Sequence, residues 1–207
     1  PFRIPSSSMV PNLLIGDFLF VSKFAYGNRV PLTDKFLWQT EPERGDIAVF
    51  KNKHSDLPGS FFGFGSPMFI KRIIAVPGDT ISYNNKQVFV NGTAIPLKLQ
   101  GSFNYKTLNG QNKNVLSYTE TFLDGSAHTV VHDPSLPGLN IAEEIVPEDM
   151  FVMMGDNRDN SRDSRFWNPP TWGYVPRKDL MGRAEFIFFS LENWIPRSDR
   201  FFNSLRK

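Results

Sequence analysis

The sequence of 207 residues contains 23 lysines and arginines and 21 aspartates and glutamates, so its net charge is only +2. This small excess does not indicate a nucleic-acid-binding protein. Because the chain contains no cysteine, thiol catalysis, disulfides and zinc–cysteine sites are excluded. Its 20 phenylalanines and four tryptophans are typical of a β core, a peptide-binding groove or a membrane-facing surface. The sequence contains no apolar run of about 18 residues, so no membrane span is predicted within it.

Three consecutive hydroxyls lie between two prolines in the segment Ile4-Pro-Ser-Ser-Ser-Met-Val-Pro11. Proline fixes its own backbone and restricts the residue before it, so this segment is predicted to be stiff and non-helical. Stiffness suits a group that must attack along one line, which makes Ser6, Ser7 and Ser8 candidate nucleophiles. A solvated serine turn is the alternative, and the segment alone does not choose between them.

Alternating apolar residues predict a mainly β protein. Phe18, Phe20, Ser22 and Phe24 alternate with Leu19, Val21 and Lys23, which predicts a strand with one strongly apolar face. Further strands are predicted at 46–51, 68–76 and 148–154, with a hairpin formed by 115–123 and 129–132. Residues 27–43 and the aromatic stretch 53–67 are predicted as loops, and residues 96–114 form a polar stretch rich in glycine and asparagine.

The middle third has few aliphatic residues and no cluster of chemically reactive side chains. We therefore predict an inserted β subdomain at 80–146 within a catalytic β core formed by 1–79 and 147–207. His128 and His132 lie four apart in a predicted strand without an evident third ligand, so no metal or cofactor site is predicted.

Two basic residues are adjacent in the apolar strand at 68–76. Neighbouring strand residues point to opposite faces, so Lys71 and Arg72 are predicted to have different environments, and one of them is a candidate for burial. Lys71 alternates with Phe69 and Ile73, and apolar surroundings would lower its pKa until the neutral amine can act as a base. The alternative is a lysine whose stem follows the surface with its ammonium in water.

The segment 155–165, Gly-Asp-Asn-Arg-Asp-Asn-Ser-Arg-Asp-Ser-Arg, contains three aspartates and three arginines. Such a loop can form a rigid shelf through short-range hydrogen bonds and Arg–carboxylate pairs. A calcium loop starting at Asp156 is not indicated, because Arg158 and Ser161 occupy positions that require a ligand and a glycine. A solvated charged loop remains the alternative.

Taken together, these motifs resemble the extracytoplasmic catalytic region of bacterial type I signal peptidases, which are membrane-anchored serine endopeptidases. The resemblance is carried by Ile4-Pro-Ser-Ser-Ser-Met-Val-Pro11 with Leu14-Ile-Gly-Asp17, Arg44-Gly-Asp-Ile-Ala-Val-Phe50, Phe69-Ile-Lys-Arg-Ile-Ile-Ala-Val-Pro-Gly-Asp79, and Gly155-Asp-Asn-Arg-Asp-Asn-Ser-Arg-Asp-Ser-Arg-Phe-Trp167 with Gly182-Arg183-Ala184. It implies a β-barrel-like Ser/Lys catalytic core. It also implies cleavage of signal peptides after small residues, in sites of the Ala-X-Ala type.

The same resemblance assigns roles to individual residues. Ser8 would be the nucleophile, Lys71 the general base and Ser161 the residue that orients the lysine amine. The Ser8 N–H and the Ser6 hydroxyl would form the oxyanion hole. Arg72 with Asp156, and Asp163 with Arg165, would form scaffolding ion pairs. Shallow apolar pockets for an extended signal peptide would be formed by residues on either side of the substrate: Phe2, Ile4, Pro5, Met9, Leu13, Phe69 and Ile70.

The resemblance also places the enzyme at the bacterial cytoplasmic membrane, with its catalytic region on the periplasmic side. The opening lacks an initiator Met and a signal-peptide pattern, so we expect a truncated chain without its anchor. Apolar and basic residues at 193–207 predict contact with anionic lipid, although a tail packed on the core is the alternative. Residues 168–172 interrupt the family pattern and predict a loop extension beside the active site.

Two other functions remain open. One is a self-cleaving Ser/Lys protease of related fold, like the SOS-response repressors, although those carry a DNA-binding helical module that is not evident here. The other is a non-enzymatic β domain that binds extended peptides.

Overall fold

The computed structural model describes residues 2–29, 36–37, 40–51 and 68–206. The aromatic loop predicted at 53–67 lies outside these residues. The fold is mainly β, as predicted, with short 3-10 helices at Arg158–Asn160, Arg177–Asp179 and Ser198–Arg200. The strands in chain order are β1 (Phe2–Arg3), β2 (Asp17–Ser22), β3 (Asn28–Arg29), β4 (Phe36–Leu37), β5 (Ile47–Lys51), β6 (Met68–Ala75), β7 (Thr80–Asn84), β8 (Gln87–Val90), β9 (Thr93–Ala94), β10 (Leu97–Lys106), β11 (Asn112–Thr121), β12 (Ala127–His132), β13 (Asn140–Ile145), β14 (Met150–Met154), β15 (Val175–Pro176), β16 (Leu180–Glu192), β17 (Ile195–Pro196) and β18 (Asn203–Ser204).

The largest sheet joins both ends of the chain. Its strand order is β1-β2-β16-β5-β6-β14-β15, and β17 and β18 also pair with β16. β16 therefore joins the N-terminal strands to β5, which pairs in turn with β6, the strand that carries Lys71. The two outer strands, β1 and β15, are not paired with each other in the described part of the chain, so the barrel-like closure stays a prediction. None of the helices within the described ranges has the length and apolar character needed to cross a bilayer.

Two smaller sheets are formed by residues of the middle third. One has the order β10-β11-β12 and the other β13-β7-β8-β9. The hairpin predicted around Asp124-Gly125 is confirmed by the antiparallel pairing of β11 with β12. The polar stretch at 96–114 contains the ten-residue strand β10, which the sequence analysis did not predict. The division at residues 80 and 146 stays a prediction.

The strand predicted around Phe18 to Phe24 is present as β2, but its phenylalanines do not face the core. Leu19 is fully buried, whereas Phe20 is 51% exposed and Phe24 is 73% exposed. The core beneath β2 contains Leu19, Ile47 and Ile187. Alternation predicted the strand correctly, and the aromatic face is the outer one.

The predicted loop extension at 168–172 is tied to the core at one end. Thr171 N–H donates to the carbonyl of Asn168 at 2.9 Å, which closes a tight turn. Trp172 is only 1% exposed and packs in the core cluster that contains Ile81 and Met154.

Candidate active site

The serine segment is held by backbone bonds to the turn that precedes β2. Ile4 N–H donates to Asp17 O at 2.8 Å, and Gly16 N–H donates to Ile4 O at 3.0 Å. Gly16 has φ +92, and a Cβ there would lie 2.0 Å from the carbonyl oxygen of Leu191, so the turn requires glycine. The segment is thereby fixed on one side of the sheet.

Asp17 anchors this turn from inside the protein. Its buried carboxylate accepts hydrogen bonds from Ser190 Oγ at 2.6 Å and from Arg200 at 2.6 and 3.0 Å. Arg197 Nη2 lies 3.3 Å from the same carboxylate. Arg197 and Arg200 are therefore both paired with Asp17, and the lipid contact predicted for residues 193–207 stays a prediction.

A lysine and a serine meet beside this turn. Lys71 Nζ lies 2.6 Å from Ser8 Oγ, although the residues are 63 positions apart in the sequence. Lys71 is 3% exposed, and burial lowers the pKa of its amine from 10.5 to about 8, although the carboxylates of Asp163 and Asp156 oppose this shift. Arg72 is also buried, at 5% exposure, so both basic residues of the strand lie inside and not one alone.

The three serines have different partners. Ser6 Oγ is exposed and lies 3.3 Å from Ser8 Oγ. Ser7 Oγ accepts a hydrogen bond from Asn160 Nδ2 at 2.8 Å. Of the three hydroxyls, only that of Ser8 is bonded to the lysine amine in the described residues.

Two buried ion pairs organise the loop at 155–165. Arg72 bonds both oxygens of Asp156 at 2.8 Å, and Arg165 bonds both oxygens of Asp163 at 2.9 and 2.8 Å. Burial opposes ionisation of each carboxyl, but the guanidinium beside it outweighs burial and lowers the pKa of Asp156 and of Asp163. The loop is therefore a rigid, buried element, although its composition resembles that of a solvated loop.

This arrangement can carry out nucleophilic chemistry. A buried amine with a lowered pKa can accept the proton of the hydroxyl to which it is bonded, which converts a weak nucleophile into a strong one. Among the residues that the structure describes, no group of three or more His, Asp and Glu side chains is arranged to hold a metal ion.

Comparison with known proteins gives the family. The family described as "Signal peptidase, peptidase S26" matches residues 1–189. The chain belongs to this signal peptidase family. It is 36% identical over 198 residues to signal peptidase I of Pseudomonas aeruginosa and 34% identical over 201 residues to that of Pseudomonas fluorescens. In both comparisons the match covers 92% of this chain and 64% of the relative, so the chain spans less than two thirds of these proteins.

A more distant relative and a solved structure are also described as signal peptidase I. The chain is 32% identical over 250 residues to signal peptidase I of Haemophilus influenzae, covering 100% of this chain and 69% of the relative. A crystal structure of a signal peptidase I from Enterococcus faecalis matches with a TM-score of 0.37 and 23% identity, covering 70% of this chain and 97% of the other.

Two expectations about the site are corrected by the structure, and the first concerns Ser161. Ser161 Oγ is buried, and among the described residues it makes no hydrogen bond to the Lys71 amine, so the expected bond is not formed. The hydroxyl instead lies against Gly155, where a Cβ would be 2.3 Å from Ser161 Oγ and 2.5 Å from the carbonyl oxygen of Ser8. Glycine is required at position 155 because two parts of the site pass close to it.

The expected pocket residues fall into two groups. Met9 and Leu13 have no exposed surface, and Ile4 is 2% exposed, because all three pack in the core beneath β2. These side chains cannot line an open pocket in this conformation. Surface for contact with a peptide remains on the other four: Phe2, Pro5, Phe69 and Ile70.

Several contacts around the candidate site were not identified from the sequence. Glu120 and Arg158 form a fully buried, bidentate ion pair that ties β11 to the 155–165 loop. Asn157 and Asn160 bond to Ser7 and Ser8 from the same loop. The only sequence signal for these contacts was the polar character of the loop, which does not reveal a partner 38 or 150 positions away.

Proposed function

We propose that this protein is a serine endopeptidase that removes signal peptides from exported preproteins by a Ser8–Lys71 dyad. The observation that carries the proposal is the 2.6 Å hydrogen bond between a buried, pKa-lowered lysine and Ser8 in a chain of the peptidase S26 family. The family membership supports the substrate class, and the geometry supports the proposed roles of the two residues.

The mechanism follows from the acid–base properties of the dyad. Neutral Lys71 takes the proton of the Ser8 hydroxyl while Ser8 Oγ attacks the scissile carbonyl carbon. The Ser8 N–H and the Ser6 hydroxyl stabilise the oxyanion. The protonated lysine then gives its proton to the leaving amine. In the second step Lys71 takes a proton from a water molecule that attacks the acyl carbonyl, and it returns this proton to Ser8 Oγ as the acyl bond breaks.

The signal peptide would bind as an extended strand. β1 is paired only with β2 in the described residues, and β14 pairs with β6 only from Arg72 onwards. The opposite edges of Phe2–Arg3 and Met68–Lys71 are therefore open to strand addition. Main-chain hydrogen bonds would hold the peptide there, and alternate side chains would contact Phe2, Pro5, Phe69 and Ile70. Shallow apolar contacts of this kind would fit the family's preference for small residues such as alanine before the cleaved bond.

Contact with the membrane surface belongs to the same proposal. The outer face of the main sheet carries Phe20 stacked on Phe186 at 5.2 Å, with Phe202 75% exposed and Trp194 91% exposed. Exposed aromatic groups partition into the bilayer interface. We place the protein at the periplasmic side of the bacterial cytoplasmic membrane, acting there without nucleic acid, metal or cofactor. Residues 80–146 would be an inserted subdomain that supports the 155–165 loop.

The test of the lipid contact uses vesicles of stated composition. Trp194→Ala and Phe202→Ala together should reduce partitioning of the chain onto phosphatidylcholine vesicles, and the addition of anionic lipid should change binding little because Arg197 and Arg200 are occupied. Leu108→Ala, a change at a similarly exposed apolar residue, is the control. Unchanged partitioning of the aromatic double variant would reject this contact.

The test of catalysis uses a preprotein with an Ala-X-Ala site. Wild type should cleave it, and Ser8→Ala and Lys71→Ala should each lower the rate by about 10³-fold or more. The exposed residues Ser102 and Lys98 provide matched controls through Ser102→Ala and Lys98→Ala. Cleavage retained by either dyad variant would reject the assignment. Cleavage confined to the chain itself would favour the self-cleaving protease, and binding without cleavage by wild type would favour the peptide-binding domain.

A further inference from the structure

The two peptide units that flank the Ser8 Cα are both held by hydrogen bonds. The carbonyl oxygen of Ser7 accepts hydrogen bonds from Asn157 Nδ2 at 3.0 Å and from Val10 N–H at 3.2 Å. The carbonyl oxygen of Ser8 accepts the backbone N–H of Asn157 at 3.1 Å. Asn157 is 1% exposed, so water cannot readily replace its side chain.

These bonds determine where the Ser8 N–H points. In a trans peptide unit the C=O and the N–H point in opposite directions within one plane. Fixing the Ser7 carbonyl towards Asn157 therefore directs the Ser8 N–H away from the 155–165 loop. In the described part of the chain this N–H donates to no protein acceptor, so it is available to a ligand.

We propose that Asn157 is a positioning residue for the oxyanion hole, because it orients and polarises the peptide unit whose N–H comes from Ser8. This inference rests on the proposed function of Ser8. A hydrogen bond to the carbonyl of an amide strengthens the donor at its N–H, so the same contact improves both the direction and the strength of the donor. Removing one preorganised donor of this kind lowers kcat by about 10²–10³-fold in a well-studied hydrolase.

Asn157 is itself held in place by the middle third of the chain. The carbonyl of the preceding residue, Asp156, accepts Val131 N–H from β12 at 2.9 Å. The Asp156 carboxylate is bonded to Arg72 and also accepts Asn12 Nδ2 at 2.7 Å. This anchoring gives β12 an indirect connection to the catalytic peptide unit.

Asn160 provides a matched comparison within the same loop. Its Nδ2 donates to Ser7 Oγ at 2.8 Å and lies 3.4 Å from the Tyr105 hydroxyl. It therefore contacts the same serine through the side chain and leaves the peptide carbonyl alone. A general weakening of the loop would affect both asparagine variants, whereas loss of donor orientation should be specific to Asn157.

The experiment compares Asn157→Asp, Asn157→Ala and Asn160→Ala with wild type, using a peptide that contains an Ala-X-Ala site. Aspartate has nearly the same shape but cannot donate when ionised, and alanine removes the group without adding charge. We expect both Asn157 variants to lower kcat about 10–100-fold, with KM changed less than threefold. Asn160→Ala should change kcat less than about fivefold.

A peptide aldehyde gives a second readout that does not depend on turnover. Ser8 Oγ adds to the aldehyde carbon, the C=O π bond opens to an oxyanion, and the hydroxyl proton passes to the Lys71 amine. The Ki of this inhibitor should rise about 10–100-fold in the Asn157 variants, whereas the Ki of the matching peptide alcohol, which forms no oxyanion, should change less than threefold.

Each outcome decides the inference. Equal losses for Asn157→Ala and Asn160→Ala, a raised KM at unchanged kcat, or equal weakening of aldehyde and alcohol would overturn it in favour of a purely structural role. Unfolding curves identify which variants are folded, and the less disruptive of the two Asn157 changes is then the one compared. An inactive wild type would instead refute the proposed function, so the two failures can be distinguished.

Discussion

Replacing Lys71 by methionine should abolish cleavage and stabilise the protein. The amine is buried, and its pKa falls from 10.5 to about 8 in the folded state. The difference of 10.5 − 8 = 2.5 corresponds to about 3 kcal/mol, which is the cost of keeping the charged amine in the fold at neutral pH. Methionine has a similar length and carries no charge, so it should remove this cost. Loss of the hydrogen bond to Ser8 offsets about 1 kcal/mol of this gain in stability.

The pH dependence is the sharper part of this prediction. Below pH 8 the lysine is protonated in both states, and the full penalty is present. Between pH 8 and 10.5 the unfolded chain binds more protons, so the free energy of unfolding of wild type rises with pH. The advantage of Lys71→Met should therefore shrink by about 3 kcal/mol across this window and stay constant above it.

Urea unfolding of both proteins from pH 7 to 10.5 measures this difference, because other titrating groups cancel between the two. Lys98→Met, at an exposed position on β10, is the matched control for replacement of a lysine by methionine. A constant difference for Lys71→Met would show that the amine keeps its usual pKa in the folded protein. The assigned general base would then lack its physical basis.

Three further predictions concern the same site. The kcat/KM of wild type should rise about tenfold between pH 7 and pH 9 as the Lys71 amine loses its proton, and a flat profile would argue against this base. Gly155→Ala should lower kcat at least about 100-fold, because its Cβ would displace Ser161 and the Ser8 carbonyl; a fully active variant would contradict the packing. Glu120→Gln should lower the free energy of unfolding by about 3–5 kcal/mol by leaving Arg158 without its carboxylate, and a smaller change in urea unfolding would indicate that the guanidinium finds another acceptor.

Local patterns predicted several of the strands. The strand 68–76 follows an almost wholly apolar run, the hairpin of β11 and β12 follows alternation around a turn, and both are present close to the predicted bounds. β16 was not predicted, although it has 13 residues and lies in the middle of the main sheet. Its pairing registers shift between Ala184 and Phe186 and between Ile187 and Phe189, so the period of two is interrupted. A pattern search cannot follow such a strand.

Tertiary contacts account for what the sequence left open at the site. Alternation favoured burial of Lys71, but the serine it meets was chosen only through the family resemblance. β2 has apolar residues on both faces, so the sequence could not tell that Leu19 would point inwards and Phe20 outwards. Asp17 reads as a turn residue, yet its partners Ser190 and Arg200 lie 173 and 183 positions away. These contacts depend on the return of β16 to the N-terminal strands.

The charge balance of the 155–165 loop explains why the lysine can lose its proton there. Unpaired carboxylates beside Lys71 would stabilise its ammonium form and keep its pKa high. Asp156 and Asp163 are each neutralised by an arginine, and the Arg165 guanidinium also lowers the pKa of the lysine directly. Burial can therefore dominate even though two carboxylates lie nearby. The buried ion pairs do more than hold the loop in shape, because without them the dense polar environment would favour the protonated, inactive amine.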